Sequence, residues 1–400
     1  MKNDTTKADK IIAINEGLVK NQLGEMVRST VEETLNQLLD AEADRLCNAQ
    51  KHERSADRVD SRAGHYERSL QTQAGKVKLK MPKLRKGTFE TAIIERYKRR
   101  ESSVEEALIE MYLAGVSVRR VEDITEALWG TKVSPGTISN LNKKVYKNIE
   151  AWRTRPIEGD YAYVYMDGMV LKRTWAGEVR NVSILAAIGV GRDGHRRVLG
   201  IAEGAKEDKT GWSDFLKYLK DRGLKSPKLV ISDACSGLLE ALGEFYPEAR
   251  WQRCTVHYYR NAFGKVPRTK VRDVADMLKA IHAQEDLSAA LEKSRLVAEK
   301  LKQMKLPKVA CWVEETIEET LAYYHFPKEH WRRIRTNNPL ERILKEIRRR
   351  TKVVGAFPDG QSALMLAAAR LRHVAGTQWG TRKYLNMDLL QAQQIEKQFA

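Results

Sequence analysis

This 400-residue sequence has little cysteine, only ten prolines and no long run of apolar residues. Four widely spaced cysteines in a long chain exclude the disulfide framework of a small secreted domain. The longest apolar runs fall far short of the ~20 residues that a membrane-spanning helix needs. The first residues are polar and charged, so we expect no secretory signal and a cytoplasmic location.

Acidic residues are also scarce relative to basic ones. The chain has 71 Lys and Arg against 53 Asp and Glu, which gives a formal charge of +18 and a pI near 9.6. Most of this excess lies in two windows, residues 76–100 and 331–352, with ten and nine basic residues against two acids each. Charge runs are ordinarily solvated faces, but such concentration favours a polyanionic partner and phosphate contacts.

Three acidic residues occupy positions that need an explanation. Asp167 lies inside an aromatic and β-branched run, Asp233 ends an apolar run, and Glu341 lies in the first turn of a basic helix. A carboxylate inside an apolar strand costs stability unless it is paired or ligated. Carboxylates are hard ligands, and two Mg²⁺ ions held by them can promote displacement at a phosphodiester. The set therefore predicts metal-dependent phosphoryl transfer.

Each acid alone also has an ordinary structural explanation. An Asp at the end of a strand is often a turn or helix-cap residue. Glu341 fits a capping box in which Asn338 is the N-cap and Pro339 the first helical residue. Asp167 is the hardest of the three to explain in this way.

The first 155 residues are mainly helical in pattern. Residues 11–48 carry an apolar stripe at three- and four-residue steps, typical of a core face or a dimer seam. Residues 51–64 are polar and predict a loop. From residue 71 to 100 the pattern changes, and Lys76–Met81 alternates basic and apolar residues, which predicts a strand with exposed lysines.

Three short helices are predicted next, at residues 103–113, 117–129 and 134–152. Glycines in the turns and a polar, basic last helix are typical of a helix-turn-helix, although an ordinary helical bundle fits equally well. In a helix-turn-helix the residues that face the DNA groove would be Thr137, Ser139, Asn140, Lys143 and Lys144.

From residue 161 the periodicity is that of strands. We predict strands at 161–173, 181–190 and 196–203, a helix at 209–222, a strand ending at Asp233, a helix at 237–245 and a short strand near 251–255. Hairpins followed by alternating strands and helices predict an α/β fold with a mixed sheet. Residues 265–330 return to a helical pattern, which predicts an all-α insertion before the Glu341 helix.

Three competing motifs are weaker. Gly189–Gly194 has the spacing of a dinucleotide-binding loop, but a strand follows it where that loop requires a helix, so a hairpin turn is favoured. Cys254 and His257 suggest zinc, yet no second close Cys/His pair completes four ligands. A tyrosine-nucleophile recombinase is conceivable, but no tyrosine has an activating neighbour in the sequence.

Several motifs together resemble the bacterial insertion-sequence transposases of the Mutator superfamily, which are DDE enzymes with an RNase H-like catalytic fold. The resemblance covers nearly the whole chain, and the Cys-x-x-His element after the second Asp is its most specific marker. It is carried by Met166-Asp-Gly168, Ser232-Asp-Ala234, Gln252-Arg-Cys-Thr-Val-His257, Asn337-Asn-Pro-Leu-Glu-Arg342, Arg62-Ala-Gly-His-Tyr-Glu-Arg68 and Val133-Ser-Pro-Gly-Thr-Ile-Ser139.

The resemblance implies that Asp167, Asp233 and Glu341 are the catalytic residues and ligate two Mg²⁺ ions, for which Mn²⁺ can substitute. Activated water would cut at a transposon end, and the released 3′-hydroxyl would attack a second phosphodiester. Cys254 and His257 would be a supporting pair near the acids rather than catalysts.

The resemblance and the helical spacing also predict DNA contacts. Trp331 matches the insertion-domain tryptophan of the family, which would stack on an unpaired or flipped base, although a core tryptophan is the commoner fate. Glu341, Lys345 and Arg348 fall at i, i+4 and i+7, so one helix face would hold metal and grip phosphate. Arg342 is a further candidate DNA contact.

These patterns, together with what the resemblance implies, divide the chain into six segments. They are 1–70, a helical region with a role in oligomerisation; 71–101, a basic β element; 102–155, helix-turn-helix-like; 156–264, the first part of an RNase H-like domain; 265–335, an all-α insertion; and 336–400, the Glu341 helix with C-terminal helices.

The sequence thus predicts a DDE transposase that binds terminal inverted repeats and target DNA, acts as at least a homodimer and is associated with the nucleoid. Two rivals stay open: a sequence-specific DNA-binding regulator without catalysis, and a metal-dependent nuclease of the same fold that cuts but never joins.

Overall fold

The computed structural model describes residues 16–94, 100–113, 116, 118–129, 132–175, 178–204, 209–352, 357 and 359–399. The chain folds into two structural units. The first comprises residues 1–112 and 116–142, and the second residues 113–115 and 143–400. Within the described ranges, no helix is both long and apolar enough to cross a membrane.

The first unit begins with a long helix and a β-hairpin. Helix α1 spans Glu16–Cys47, and the antiparallel strands β1 and β2 span Arg62–Thr72 and Gly75–Leu84. Burial alternates along β2 as predicted, so Val77 and Leu79 pack against Leu39 of α1 while Lys76, Lys78 and Lys80 stay exposed. The hairpin thus presents a row of lysines on one face.

One expectation for this region needs correction. The sequence predicts a β element that begins near residue 71, yet β1 begins at Arg62, inside the predicted loop. Most of the first half of β1 is exposed on both faces, so it lacks the alternation that reveals a strand. The predicted α1 stripe is only partly core, since Leu23 and Val27 are 54% and 52% exposed; residues 11–15 of the predicted helix lie outside the described ranges.

The three predicted short helices are present as α2, α3 and α4, spanning Ser102–Leu113, Val118–Trp129 and Pro135–Thr154. A small apolar cluster that includes Val104, Leu108, Val121 and Ile138 holds them together. This packing fits both a helix-turn-helix and an ordinary bundle, so both interpretations stay open.

The second unit contains a five-stranded mixed sheet, which confirms the predicted α/β class. In chain order its elements are β3 (Tyr161–Trp175), β4 (Glu178–Gly191), β5 (Arg196–Gly204), α5 (Lys209–Asp221), β6 (Leu229–Ser232), α6 (Ser236–Phe245) and β7 (Arg250–Arg253). The strand order is β5-β4-β3-β6-β7. Strands β3, β4 and β5 are antiparallel, whereas β6 and β7 run parallel to β3 and β6 respectively. Gly191 ends β4 and Gly194, at a φ of +78°, lies in the hairpin turn before β5, so this segment is not a nucleotide-binding loop.

Alternation along β3 decides which face carries Asp167. Val164 and Met166 lie in the apolar core formed with α5 and α6. Tyr163, Tyr165 and Asp167 therefore face the opposite side of the sheet. The later helices of the chain cover that opposite face.

Those later helices are α7 (Thr255–Phe263), α8 (Val271–Ile281), α9 (Leu287–Gln303), α10 (Pro307–Thr316), α11 (Lys328–Ile334), α12 (Asn338–Thr351), α13 (Gly360–Ala375), α14 (Gln378–Thr381) and α15 (Asp388–Phe399). Between residues 265 and 330, all of them described, the chain forms only α-helices, short 3-10 turns and loops. Helix α11 docks on the Asp167 face: the Tyr163 hydroxyl pairs with Nδ1 of His330 at 2.8 Å, and the Tyr165 hydroxyl donates to the carbonyl of Arg333 at 3.1 Å.

Candidate active site

Two of the predicted acids lie side by side at one end of the sheet. Strands β3 and β6 are parallel, and Tyr165 is paired with Ile231. Asp167 and Asp233 each follow this pair by two residues, so the register brings them to the same level of the sheet. One oxygen of each carboxylate accepts the N–H of the next residue at 2.8 Å, from Gly168 and Ala234 respectively.

Asn337 attaches the helix that carries Glu341 to the same end of the sheet. The side chain of Asn337 donates to the carbonyl of Met166 at 3.0 Å, one residue before Asp167. Its backbone N–H donates to Sγ of Cys254 at 3.2 Å, and the N–H of Cys254 donates to the carbonyl of Ser232 at 2.8 Å. Asn337 is fully buried, so these hydrogen bonds fix the start of α12 over β3 and β6.

The capping-box alternative for Glu341 is wrong. The N-cap of α12 is Asn337 rather than Asn338, and it makes no side-chain capping hydrogen bond. The carboxylate of Glu341 is instead paired with two cations of α7. Oε1 lies 3.0 Å from Nε2 of His257 and 3.2 Å from Nη1 of Arg260.

The electrostatics of the acids differ from one to the next. Burial first, with the negative charges of Glu341 and Asp233, raises the pKa of Asp167 to about 7 against the lowering effects of the Gly168 N–H and His257. Hydrogen bonding to His257 lowers the pKa of Glu341, with further lowering by Arg260. Asp167 therefore carries a charge that its surroundings do not fully compensate.

His257 lies between the acids and Cys254. The Cys254 sulfur first, and then Glu341, raise the pKa of His257 to about 10, so the imidazole is protonated near neutral pH. Its Nδ1 is buried and makes no hydrogen bond of normal geometry within the described part of the chain. Cys254 is fully buried. Its environment suits a supporting role and leaves no path for a reactive thiol to meet substrate.

The three carboxylates suit a divalent cation in donor chemistry but are not gathered around one point. No group of three His, Cys, Asp or Glu side chains among the described residues is arranged closely enough to hold a metal ion. Glu341 is held by His257 and Arg260, while Asp167 faces uncompensated negative charge. A cation between the acids would relieve that repulsion, and Oε2 of Glu341 would be the oxygen to bind it, since His257 and Arg260 both contact Oε1.

Some predicted DNA contacts are on the surface. Arg342, Lys345 and Arg348 are exposed along α12. Asn140 is exposed on α4, whereas the side chains of Ser139, Lys143 and Lys144 lie outside the described part of the structure. Their role in DNA binding stays a prediction.

Trp331 is partly buried in an aromatic cluster. Its ring lies edge-on to Tyr323 and Tyr324, with centroids 5.7 and 4.6 Å away, and its Nε1 donates to the carbonyl of Phe326 at 2.7 Å. The ring is thus held in a fixed orientation with part of its surface accessible. Stacking of this ring on a base stays a prediction.

Sequence reasoning missed two residues of the site. Arg260 stands three residues after His257 on α7, so helical spacing alone could have placed it beside Glu341. Asn337 gave no such signal, because its role depends on strand β3, 171 residues away in sequence.

Comparison with known proteins gives a match along almost the entire chain. Residues 2–380 match the family described as "Transposase, Mutator family". The chain is 39% identical over 377 residues to the transposase for insertion sequence element ISRM5 of Rhizobium meliloti (strain 1021), with 94% of each protein covered.

Two further relatives show a similar extent of likeness. The transposase for insertion sequence element IS1081 of Mycobacterium tuberculosis is 38% identical over 381 residues, covering 94% of this chain and 92% of the relative. The transposase for insertion sequence element IS256 in transposon Tn4001 of Staphylococcus aureus is 34% identical over 388 residues, covering 96% and 98%.

Proposed function

Because this chain belongs to the Mutator family of transposases, we propose that it binds the terminal inverted repeats of its own insertion sequence and cuts and joins DNA there. The reaction has two steps at phosphorus. Water hydrolyses a phosphodiester at the end of the element and leaves a 3′-hydroxyl, and that hydroxyl then displaces a 3′-oxygen from a target phosphodiester. No covalent bond between protein and DNA forms in either step.

The observation that carries this proposal is the placement of Asp167, Asp233 and Glu341. Two acids stand at one level of adjacent parallel strands, and α12 is attached beside them by Asn337. Two Mg²⁺ ions, or Mn²⁺, bound by these carboxylates would supply an activated water and stabilise the leaving oxygen. The strand order β5-β4-β3-β6-β7, with its helical insertion before α12, supports an RNase H-like catalytic domain.

The residues around the acids have separable roles in this scheme. Asp167 must lose its proton to bind a cation, because burial raises its pKa to about 7. His257 and Arg260 hold Glu341 ionised and oriented until the ions bind. Asn337 positions α12 and does not touch the reacting atoms.

A plasmid excision and joining assay tests the proposal, with the DNA that flanks this gene as the donor. The wild type is compared with Glu341→Gln, in Mg²⁺ and in a chelator. Glu240→Gln, an exposed Glu on α6 paired with Lys209 at 3.5 Å, is the matched control. We expect joined products in Mg²⁺ for the wild type and the control, and none for Glu341→Gln or with chelator.

Other outcomes identify the rivals. Metal-dependent cleavage with no joined product would favour a nuclease of the same fold. Tight, salt-sensitive binding without cleavage by any of the proteins would favour a DNA-binding regulator.

A further inference from the structure

A groove of about 440 Å³ lies beside the start of α12 and is lined by four arginines and two aromatic residues. Of these arginines, the sequence motifs single out Arg342 alone. These residues, called the arginine groove below, are Arg196, Arg332, Arg333, Arg342, Trp379 and Tyr384.

The guanidinium of Arg196 is fixed between the two aromatic rings. Its central carbon lies 4.7 Å from the ring centroid of Trp379 and 4.5 Å from that of Tyr384. It also donates to the carbonyl of Trp379 at 2.7 Å. Arg333 lies over the same Tyr384 ring at 5.1 Å. Stacking leaves the remaining N–H groups of a guanidinium in a set orientation for an oxyanion.

The groove lacks compensating negative charge. Glu346 is the one acidic residue among the described residues that line it, and its oxygens accept from Arg349 and Arg350 at 2.9 and 3.0 Å. These partners lower the pKa of Glu346 to about 2, so it stays engaged with them. Arg332, Arg333 and Arg342 are exposed, and burial together with the charges of Arg333 and Arg382 lowers the pKa of Arg196. The groove therefore concentrates positive charge that an anion would stabilise.

The position of the groove relates it to the acids. Arg196 of β5 pairs with Val190 of β4, and Val190 in turn pairs with Tyr163 of β3. Tyr163 lies on the same face as Asp167 and four residues before it, about 13 Å along the strand, and β5 lies two strand spacings, about 10 Å, to the side of β3, so the backbone of Arg196 is about 16 Å from that of Asp167. On the other side of the site, Arg342 directly follows Glu341 in α12. The arginine groove thus lies on the same face of the sheet as the candidate active site.

We propose that the arginine groove binds the sugar-phosphate backbone of the DNA strand that enters the active site. Phosphates stand about 3.4 Å apart along the axis of one DNA strand, so a contact with Arg196 lies about five nucleotides from the scissile bond. Guanidinium forks match phosphate oxygens, and the aromatic rings are occupied by arginines, so the groove reads backbone and not bases. This inference rests on the proposed function and deepens it.

Ethylation interference on DNA carrying the flanking sequences tests the inference. Wild-type protein and Glu341→Gln, which should bind without cutting, are compared with Arg332→Ala/Arg342→Ala in the Glu341→Gln background. Both substituted arginines are exposed, so the fold is spared. We expect interference at one or two phosphates about five nucleotides from the cleavage site, and this interference should be lost in the arginine variant while interference at all other positions persists. The salt slope of binding should fall by about 1 to 2, since each phosphate contact contributes about 0.9.

Lys217→Ala/Lys220→Ala is the charge-matched control. Both lysines are exposed on α5, which packs on the opposite face of the sheet. An unchanged interference pattern in the arginine variant, or an equal loss in the lysine control, would overturn the inference while the proposed function stands. Failure of the wild type to bind the flanking DNA would overturn both.

Arg196→Lys supplies a second test at the fixed guanidinium. Lysine keeps the charge but lacks the planar fork, so the same phosphate positions should lose interference even where total binding changes little. An interference pattern identical to the wild type would show that the fixed guanidinium does not contact DNA.

Discussion

At the scale of single residues, the charge of Asp167 destabilises the fold. Its folded pKa of about 7 exceeds the ordinary 3.8, so folding favours its protonated form. The destabilisation is absent below about pH 4, grows as the pH rises toward 7, and is complete above it. A shift of about 3 pKa units corresponds to roughly 4 kcal/mol at alkaline pH.

We therefore expect Asp167→Asn to raise the thermal unfolding midpoint at pH 8 in chelator, while it abolishes strand cleavage. The asparagine can still accept the Gly168 N–H. The gain should shrink as the pH falls toward 4. Differential scanning calorimetry across this pH range measures it, with exposed Asp214→Asn as the control. If the unfolding midpoint were the same in the wild type and in Asp167→Asn, the charge of the Asp167 carboxylate would already be compensated by its surroundings.

His257 provides a second test at this scale. His257→Gln removes the cation 3.0 Å from Glu341 and leaves Arg260 alone to orient it. By analogy with residues that orient metal ligands, we expect a loss of about 10- to 100-fold in cleavage rate with DNA affinity unchanged. Single-turnover cleavage assays measure the rate and equilibrium binding assays measure the DNA affinity. Exposed His373→Gln is the control. Equal losses in rate and affinity would instead assign His257 to DNA binding.

At the scale of elements, the position of α12 depends on a few hydrogen bonds to distant strands. Asn337→Ala removes the hydrogen bond to the Met166 carbonyl, so α12 loses its direct attachment to β3. We expect a loss of about 1–3 kcal/mol of stability, typical of an unsatisfied buried polar group, and a larger proportional loss of cleavage than of DNA binding. Unfolding and cleavage assays measure both, with Asn338→Ala as the neighbouring control.

The elements differ in how far the sequence predicts them. Strands β3 to β6 were predictable because each contains an apolar or β-branched run bounded by turn residues, whereas β7 is the short run Arg-Trp-Gln-Arg and carries little such signal. The first half of β1 was not, because its side chains are exposed on both faces and show no alternation. Asp167 and Asp233 could be placed at strand positions, but their equal level follows from a parallel register that periodicity does not reveal.

At the scale of the whole molecule, the proposed reaction requires two DNA ends to be held together. Helix α1 leaves Leu23, Met26 and Val27 more than half exposed, which suits the seam between two copies that the stripe predicts. We expect Leu23→Lys/Val27→Lys to lower the mass of the protein–DNA complex by half. Light scattering on paired ends measures this, and Gln22→Lys/Ser29→Lys adds the same charge elsewhere on the helix. A dimeric complex in the first variant would exclude α1 as the seam.

The arginine groove could not be predicted from the sequence. Arg196, Arg332 and Trp379 come from three distant segments, and only packing on one face of the sheet brings them together. The charge count predicted a basic surface around Glu341, because the net charge of a segment can be counted without knowing where its residues lie in the fold. The residues that each guanidinium contacts could be identified only from the structure.

The distance along the chain between the acids has a consequence for protein synthesis. Both aspartates and the pairing of β3 with β6 are complete by residue 233, but Glu341 emerges from the ribosome more than a hundred residues later, after the helices α8 to α11. A nascent or prematurely terminated chain would therefore hold the two aspartates without the third acid. Under the proposed function such a product would lack one of the three carboxylates that cleavage requires, so cleavage would become possible only when translation is nearly finished.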